Sequence, residues 1–323
     1  MRPRERVLAA VRGEAVDRVP FAVWRHFYPD EADPHRLAET TVAFTKRHSL
    51  DLVKFNPRAH YHGEPWGTTY EYQGSDKPRL VKNAVQRSEG WAQIHRVGTD
   101  EPVFREMLAG LRLVREALPD LPLLATIFTP LGAMARLATP EQLRSDLRDD
   151  PDAVLPALEA VAETFRALAA ECINIADGIF LATTPAASRS YLTDAEYARF
   201  GTPFDLKVLE GARGAALNVL HVCGDDAPVI PLARACEVAA VSWNVFGRED
   251  PPLDAFLAAV PDKAAVGGFS SDAFADPAQA RTEARVGLDR TQGRRWIAAG
   301  SCTIPPESRP DAIDAAREAL AGE

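Results

Sequence analysis

Short apolar runs alternate with amphipathic segments along nearly the whole of this 323-residue chain, and that rhythm restricts the fold more than any other feature. Eight runs have strand length: Phe21–Arg25, Asp51–Asn56, Leu123–Phe128, Gly178–Thr183, Leu217–Cys223, Val238–Val245, Ala264–Phe269 and Trp296–Cys302. Most are apolar on both faces, as strands of a helix-covered parallel sheet are. Between them lie helical patterns. In Asp152–Ala170, the residues Val154, Leu155, Leu158, Val161, Phe165 and Leu168 recur at helical spacing and share one face. Pro34–His48, Glu101–Leu118, Asp194–Ala212 and Pro277–Thr291 repeat the pattern less cleanly. Such alternation implies parallel strands joined by right-handed crossovers. Eight repeats point to a single α/β domain over residues 1–323, a (β/α)8 TIM barrel. No Gly-rich dinucleotide fingerprint follows the first strand, which weighs against an open doubly wound sheet.

Composition narrows the partners. The chain is 46% hydrophobic and 26% charged, with a formal net charge of −9. That balance suits a soluble globular protein and lacks the basic face that nucleic acid or an anionic membrane requires. No run approaches the roughly 18 apolar residues that cross a bilayer, and the basic start at Met1–Arg6 leads into no signal-like apolar stretch. Four cysteines in a chain this long do not make a disulfide framework. The expectation is a cytoplasmic protein with reduced thiols, of open oligomeric state. Cys172 and Cys236, at helix ends, read as packed small hydrophobes.

The chemistry concentrates at His221, Cys223 and Cys302. His221 and Cys223 are two apart near the end of the fifth strand, so both point to the same side. Cys302 closes the eighth strand. In a barrel all three then lie at the C-terminal face, where active sites form. One imidazole and two thiolates make a borderline-soft set suited to zinc with a fourth position open. Spacing alone also admits packed cysteines, or a closed structural site with a fourth protein ligand. The stretch 56–100 is long for a βα loop and rich in Tyr, His, Gly and Pro, so it reads as a substrate-covering insertion. Within it His60, Tyr61, His62 and Glu64 are candidate contacts for substrate or cofactor, as is His26 after the first strand. Asp225 and Asp226 read as caps of the following helix or as supports for the ligands, and Asp177 as a turn residue.

Several segments resemble the uroporphyrinogen decarboxylase superfamily: Arg4–Pro20, Asp51–Pro57, His221-Val-Cys-Gly224, Gly267-Gly268 and Gly300–Pro306. The resemblance spans nearly the full chain and implies a (β/α)8 barrel. One branch of that superfamily decarboxylates uroporphyrinogen without a metal. Another transfers methyl groups from methylcobamides to thiols of the coenzyme M type with zinc, using a His-x-Cys pair near strand five and a Cys at strand eight. His221, Cys223 and Cys302 match the second branch. The first branch places two arginines after strand one, where this chain has Arg25 and then Pro29. It also places an aspartate after strand two, where Phe55–Trp66 offers only Glu64. The methyltransferases often carry an acidic residue near the end of strand six, where this chain has Asn244, with Glu249 and Asp250 following.

The resemblance therefore implies Zn2+ held by His221, Cys223 and Cys302, a small thiol substrate, and a corrinoid (methylcobamide) supplied by a partner protein. The alternatives are a metal-free decarboxylase of the uroporphyrinogen type and a non-catalytic corrinoid- or tetrapyrrole-binding barrel.

Overall fold

Every expected strand segment enters one sheet. In the computed structural model, which describes residues 1–74 and 76–321, the strands are β1 (Phe21–Ala22), β2 (Val53–Phe55), β3 (Thr69–Gln73), β4 (Asp76–Lys82), β5 (Leu123–Phe128), β6 (Gly178–Ala182), β7 (Val219–Val222), β8 (Ala240–Trp243), β9 (Ala264–Phe269) and β10 (Trp296–Gly300). Eight of them form a sheet in the order β1-β10-β9-β8-β7-β6-β5-β2, with every neighbouring pair parallel. Helices surround it, giving a nearly closed (β/α)8 barrel. No helix among the described residues is long and apolar enough to cross a membrane.

Period-two alternation divides each strand between two cores. Leu124, Phe180, Val219, Ala240, Val266, Ile297 and Ala299 fill the barrel interior, with Val7 from the helix Pro3–Arg12. The opposite parity, including Leu220, Val222, Val241, Trp243 and Trp296, packs in the layer shared with the helices. Proline stands in the first turn of many of those helices, among them Pro34–Arg47, Pro130–Leu137 and Pro277–Thr291. There its missing N–H leaves no orphan donor, and its fixed φ is already helical.

The ladder does not join β1 to β2; one backbone hydrogen bond and several side chains do. At the N-terminal end the Phe21 N–H donates to Asp51 Oδ2 at 2.9 Å, and the Asp51 N–H donates to the Phe21 carbonyl at 2.9 Å. Asp51 is 1% exposed and also accepts from Arg6 Nη1 (2.6 Å) and Arg18 Nη1 (2.6 Å). At the other end Asn56 Nδ2 donates to the Arg25 carbonyl at 3.2 Å. Asp177 does more than turn the chain. It accepts from the Leu123 N–H (2.9 Å) and Arg115 (2.6 Å) and pairs with Arg4, so it ties β5 to the N-terminal helix.

Three departures from the sequence reading have local causes. The first strand ends at Ala22 rather than Arg25, because β1 has a ladder partner on one side only. The segment read as one helix over Asp194–Ala212 is two, Asp194–Phe200 and Thr202–Gly211. Pro203 lacks the N–H and the steric room to continue the first. The 56–100 insertion is not merely a loop. It carries the antiparallel pair β3–β4, between two short 3-10 segments, Tyr61–Trp66 and Ser88–Gln93.

Replacing Asp51 by Ala removes the buried acceptor shared by Arg6, Arg18 and the Phe21 N–H, leaving Arg6 its pair with Asp17. Breaking a buried ion pair costs about 3–5 kcal/mol. The denaturant midpoint of Asp51→Ala therefore falls steeply, and that of Asp51→Asn, which keeps an acceptor for the Phe21 N–H, falls less. A wild-type midpoint in both variants would show that other contacts hold the seam.

Candidate metal centre

The ligand set is assembled by register. His221 lies on the same parity of β7 as Val219, so it faces the barrel interior, and it is directly opposite Ser242 on β8. Its Nδ1 is 3.1 Å from Ser242 Oγ, and its ring lies against Phe180 at 5.2 Å between centroids. With Nδ1–H donating to the hydroxyl, Nε2 keeps a bare lone pair. That Nε2 is buried and has no partner among the described residues. An unsatisfied buried nitrogen is costly unless something binds it.

Cys223 follows two residues later, its N–H donating to Thr183 Oγ1 at 3.1 Å. The chain then turns away at Gly224, where φ is +126° and a Cβ would fall 2.1 Å from Ser188 Oγ. Only glycine fits there. Cys302 comes from the loop after β10. Ser301 donates to the Phe269 carbonyl through both N–H and Oγ at 2.8 Å, and the Ile304 N–H donates to the Trp24 carbonyl at 2.9 Å. These bonds hold the loop across the barrel mouth. One donor atom each from His221, Cys223 and Cys302 then lies within 4.8 Å of the others. Tetrahedral zinc spaces such donors by about 3.5–3.8 Å, so the trio is gathered near the required scale.

No fourth His, Cys, Asp or Glu joins them among the described residues. Asn244 donates to Asp225 Oδ1 (2.8 Å) and accepts from the Phe246 N–H (3.2 Å). Asp250 accepts from the Ala227 N–H at 3.2 Å, and Glu249 lies 4.0 Å from Arg189. Asp225 and Asp226 do not cap the next helix, Val229–Ala235. Asp225 receives Asn244, and Asp226 receives the Ser190 N–H at 2.9 Å.

The thiols are electrostatically unequal. A hydrogen bond from Cys223 holds the Cys302 thiol well below its ordinary pKa, and the same bond holds Cys223 up. Lys54, inward on β2 and 8% exposed, faces the rings of Trp24 (5.5 Å) and Phe180 (4.6 Å) and bonds to Asn56. Burial pushes its ammonium down to about 7, and Cys302 opposes that shift.

The centre opens into a cavity of about 430 Å³, whose walls include Trp24, Lys54, Phe128 and Phe180. A second cavity of about 310 Å³ shares the three candidate ligands and has a mixed lining that includes Asp225, Asn244, Ser270, Val222, Phe246 and Ile304. Of the other sequence candidates, His26, His60 and His62 line the larger cavity. His26 is held at Nδ1 by Glu31 (2.5 Å), and Glu31 also accepts from the Ala59 N–H (2.8 Å). His60 stacks on Tyr70 at 4.6 Å, and burial together with Arg136 holds its pKa down at about 3. His62 is buried against Phe128, with neither ring nitrogen partnered among the described residues. Glu64 is not in the wall. Its carboxylate is occupied by Arg58 (2.8 Å) and Tyr72 Oη (3.1 Å). Arg25 is also outside this cavity, bonded to the Pro306 carbonyl (2.6 Å) and set against Phe27 and Phe44. Lys54, Ser242 and Arg136 were missed as site residues. Lys54 is placed inward only by closure of the barrel, and Ser242 needs the β7–β8 register.

A family model described as uroporphyrinogen decarboxylase (URO-D) matches residues 2–322. No curated protein matches the sequence. Among solved structures, a methyltransferase from Methanosarcina mazei is similar with a TM-score of 0.84 at 17% identity, over 100% of this chain and 99% of that one. At that identity the likeness is one of fold.

Two outcomes follow from the geometry. In metal-depleted protein, iodoacetamide labels the exposed Cys302 first, while buried Cys172 and Cys236 resist; peptide mass mapping reads the order, and equal labelling of all four would contradict it. Ser242→Ala removes the partner of His221 Nδ1; if the trio takes up added zinc, the variant should bind it about 10–100-fold more weakly, measured by competition with a chromophoric chelator.

Proposed function

The chain belongs to the uroporphyrinogen decarboxylase (URO-D) family, and from that premise we propose that it is a zinc-dependent methyltransferase, moving a methyl group from a corrinoid carried by a partner protein to a small thiol. The observation that carries this reading is the convergence of His221, Cys223 and Cys302 at the barrel mouth, with Nε2 of His221 unpartnered and no fourth protein ligand among the described residues. Zinc held by these residues supplies a Lewis acid that keeps a bound thiol deprotonated at neutral pH. The remaining work belongs to the chain. Ser242 sets the tautomer of His221. Trp24, Phe128 and Phe180 give the cavity apolar walls that exclude water from the sulfur. A volume of about 430 Å³ suits a small thiol. A corrinoid is too large to be enclosed there, so the donor meets the thiol at the mouth, presented by its carrier.

The open fourth position argues against a purely structural zinc site, which closes with four protein ligands. Metal-free decarboxylation is the weaker reading. Arg25 is engaged outside the cavity, Pro29 provides no second guanidinium, and Glu64 is neutralised by Arg58.

Elemental analysis of the wild type and Cys302→Ala tests the proposal, followed by an assay of methyl transfer from methylcobalamin to a thiol. Near-stoichiometric zinc in the wild type, sharply reduced in the variant together with transfer activity, is the expected result. A wild type that stays metal-free after zinc addition, or a variant that decarboxylates uroporphyrinogen as well as the wild type, would overturn it.

A further inference from the structure

Cys223 stands one step past the ladders that place its strand. The pairing of β7 with β6 runs as far as His221 opposite Ala182, and that with β8 as far as Val222 opposite Trp243. Neither reaches Cys223. On the β6 side the Thr183 N–H donates to the His221 carbonyl at 2.9 Å, and a side chain then takes over from the ladder: Thr183 Oγ1 accepts from the Cys223 N–H at 3.1 Å. The hydroxyl's own proton goes to the Thr184 carbonyl at 3.2 Å, so its oxygen faces Cys223 as an acceptor. Thr183 is 0% exposed, and water cannot replace these bonds. One residue thus holds the backbone of two of the three candidate ligands.

The residue that supplies the carbonyl is strained. Thr184 has φ +55°, in the left-handed region that glycine takes freely and a β-branched side chain rarely adopts. It is buried and lines the larger cavity. Its neighbours hold it there. The helix Pro130–Leu137 begins against it: a Cβ on Gly132 would fall 2.8 Å from Thr184 Oγ1 and 3.1 Å from the Thr183 carbonyl. Thr129 Oγ1 donates to that carbonyl at 3.4 Å, and the Thr129 N–H donates to the Ala182 carbonyl at 2.9 Å. Further along the same segment, Ser188 blocks a Cβ on Gly224. Strain of this kind persists where the surroundings over-determine it, and it gathers at functional sites.

We propose that Thr183 is a positioning residue of the metal centre: its hydroxyl, turned by the left-handed backbone of Thr184, fixes Cys223 and thereby its spacing from His221 and Cys302. Cys302 is held independently, through Ser301 and Ile304. The register of β7 places His221, but it does not extend to Cys223, so the second sulfur depends on the hydroxyl. An ion in tetrahedral coordination needs its donors in place together, and contacts that orient a ligand from outside tune its affinity. Without the hydroxyl the ligand is present but loosely aimed. This role rests on the reading above only for the identity of the ion; the spacing of the two thiols belongs to the chain itself.

The test compares Thr183→Val, which keeps the shape and loses the hydroxyl, with Thr183→Ser, which keeps the hydroxyl. Two probes are titrated into the metal-depleted full-length chain. Cobalt(II) reads all three ligands, through its thiolate charge-transfer absorption. Phenylarsine oxide reads the two thiols without a metal ion: arsenic bonds to both sulfurs, and its oxygen leaves with their two protons as water. Thr183→Val should bind each probe about tenfold or more weakly, with a diminished charge-transfer band, and Thr183→Ser should recover both. Melting curves check that the variants fold, and Thr183→Ala takes the place of the valine variant if that one does not. Wild-type affinity for both probes without the hydroxyl overturns the proposal, as does a loss that Thr183→Ser fails to recover. A hydroxyl-dependent arsenical site in a chain that binds neither cobalt nor zinc upholds the positioning role and sinks the zinc reading. Methyl transfer by zinc-loaded Thr183→Val, with wild-type affinity for both probes, does the reverse.

Discussion

Asp51 holds together a sheet whose own ladder stops short of closing. Every other strand of the barrel is flanked by two parallel partners, but β1 and β2 each have one. A barrel left open there would lose the two walls that carry Trp24 and Lys54, and β10, which leads into Cys302, would have only an unsupported β1 beyond it. A buried carboxylate shared by the Phe21 N–H and two arginines bridges the gap at one end, and Asn56 bridges it at the other. The local cost of burying that charge is offset by closure of the whole cylinder.

Closure then determines electrostatics. The interior is narrow, and small alanines and valines alternate there with leucines and the rings of Trp24 and Phe180. Polar side chains appear where the strands run out toward the mouth: His221, Ser242, Lys54 and Asn56. Aromatic rings surround Lys54 and His221, so charges there are poorly solvated and interact strongly with one another. Burial lowers the pKa of Lys54, whereas Cys302 is held low by its hydrogen bond with Cys223 against the effect of burial. Acidic residues, abundant in the chain, are kept on the outer rim or tied into scaffold contacts, as Glu31, Glu64 and Asp225 are.

How much of this was legible beforehand differs by element. All eight barrel strands stand where apolar runs placed them, because a helix-covered parallel strand is apolar on both faces and announces itself. The three metal-ligand candidates were legible for the same reason: they end strands. The β3–β4 hairpin was not, since β4 carries charge along most of its length and only Tyr70 and Tyr72 of β3 form a half-buried side. Lys54 was overlooked because a lysine in a strand ordinarily reaches water, and only the closed barrel turns it inward. Ser242 required the register between β7 and β8, and Arg136 required knowledge that the short helix Pro130–Leu137 packs under the insertion. The break at Gly201–Pro203 was present in the sequence but outweighed by apolar periodicity on both sides.

Cys223 and Cys302 sit on either side of β8 and β9, at the ends of β7 and β10. A cation that requires both can bind only a chain in which the last strand has already docked. Occupancy therefore reports topology, not just composition: a truncated or frayed C-terminal region would present an incomplete chelate. By mass action the binding free energy is added to the closed state alone. The largest gain in protection falls on the segment whose attachment completes the barrel, so hydrogen exchange there would slow on metal addition more than elsewhere. In this way the proposed reactive centre doubles as a latch on the order in which the fold is finished.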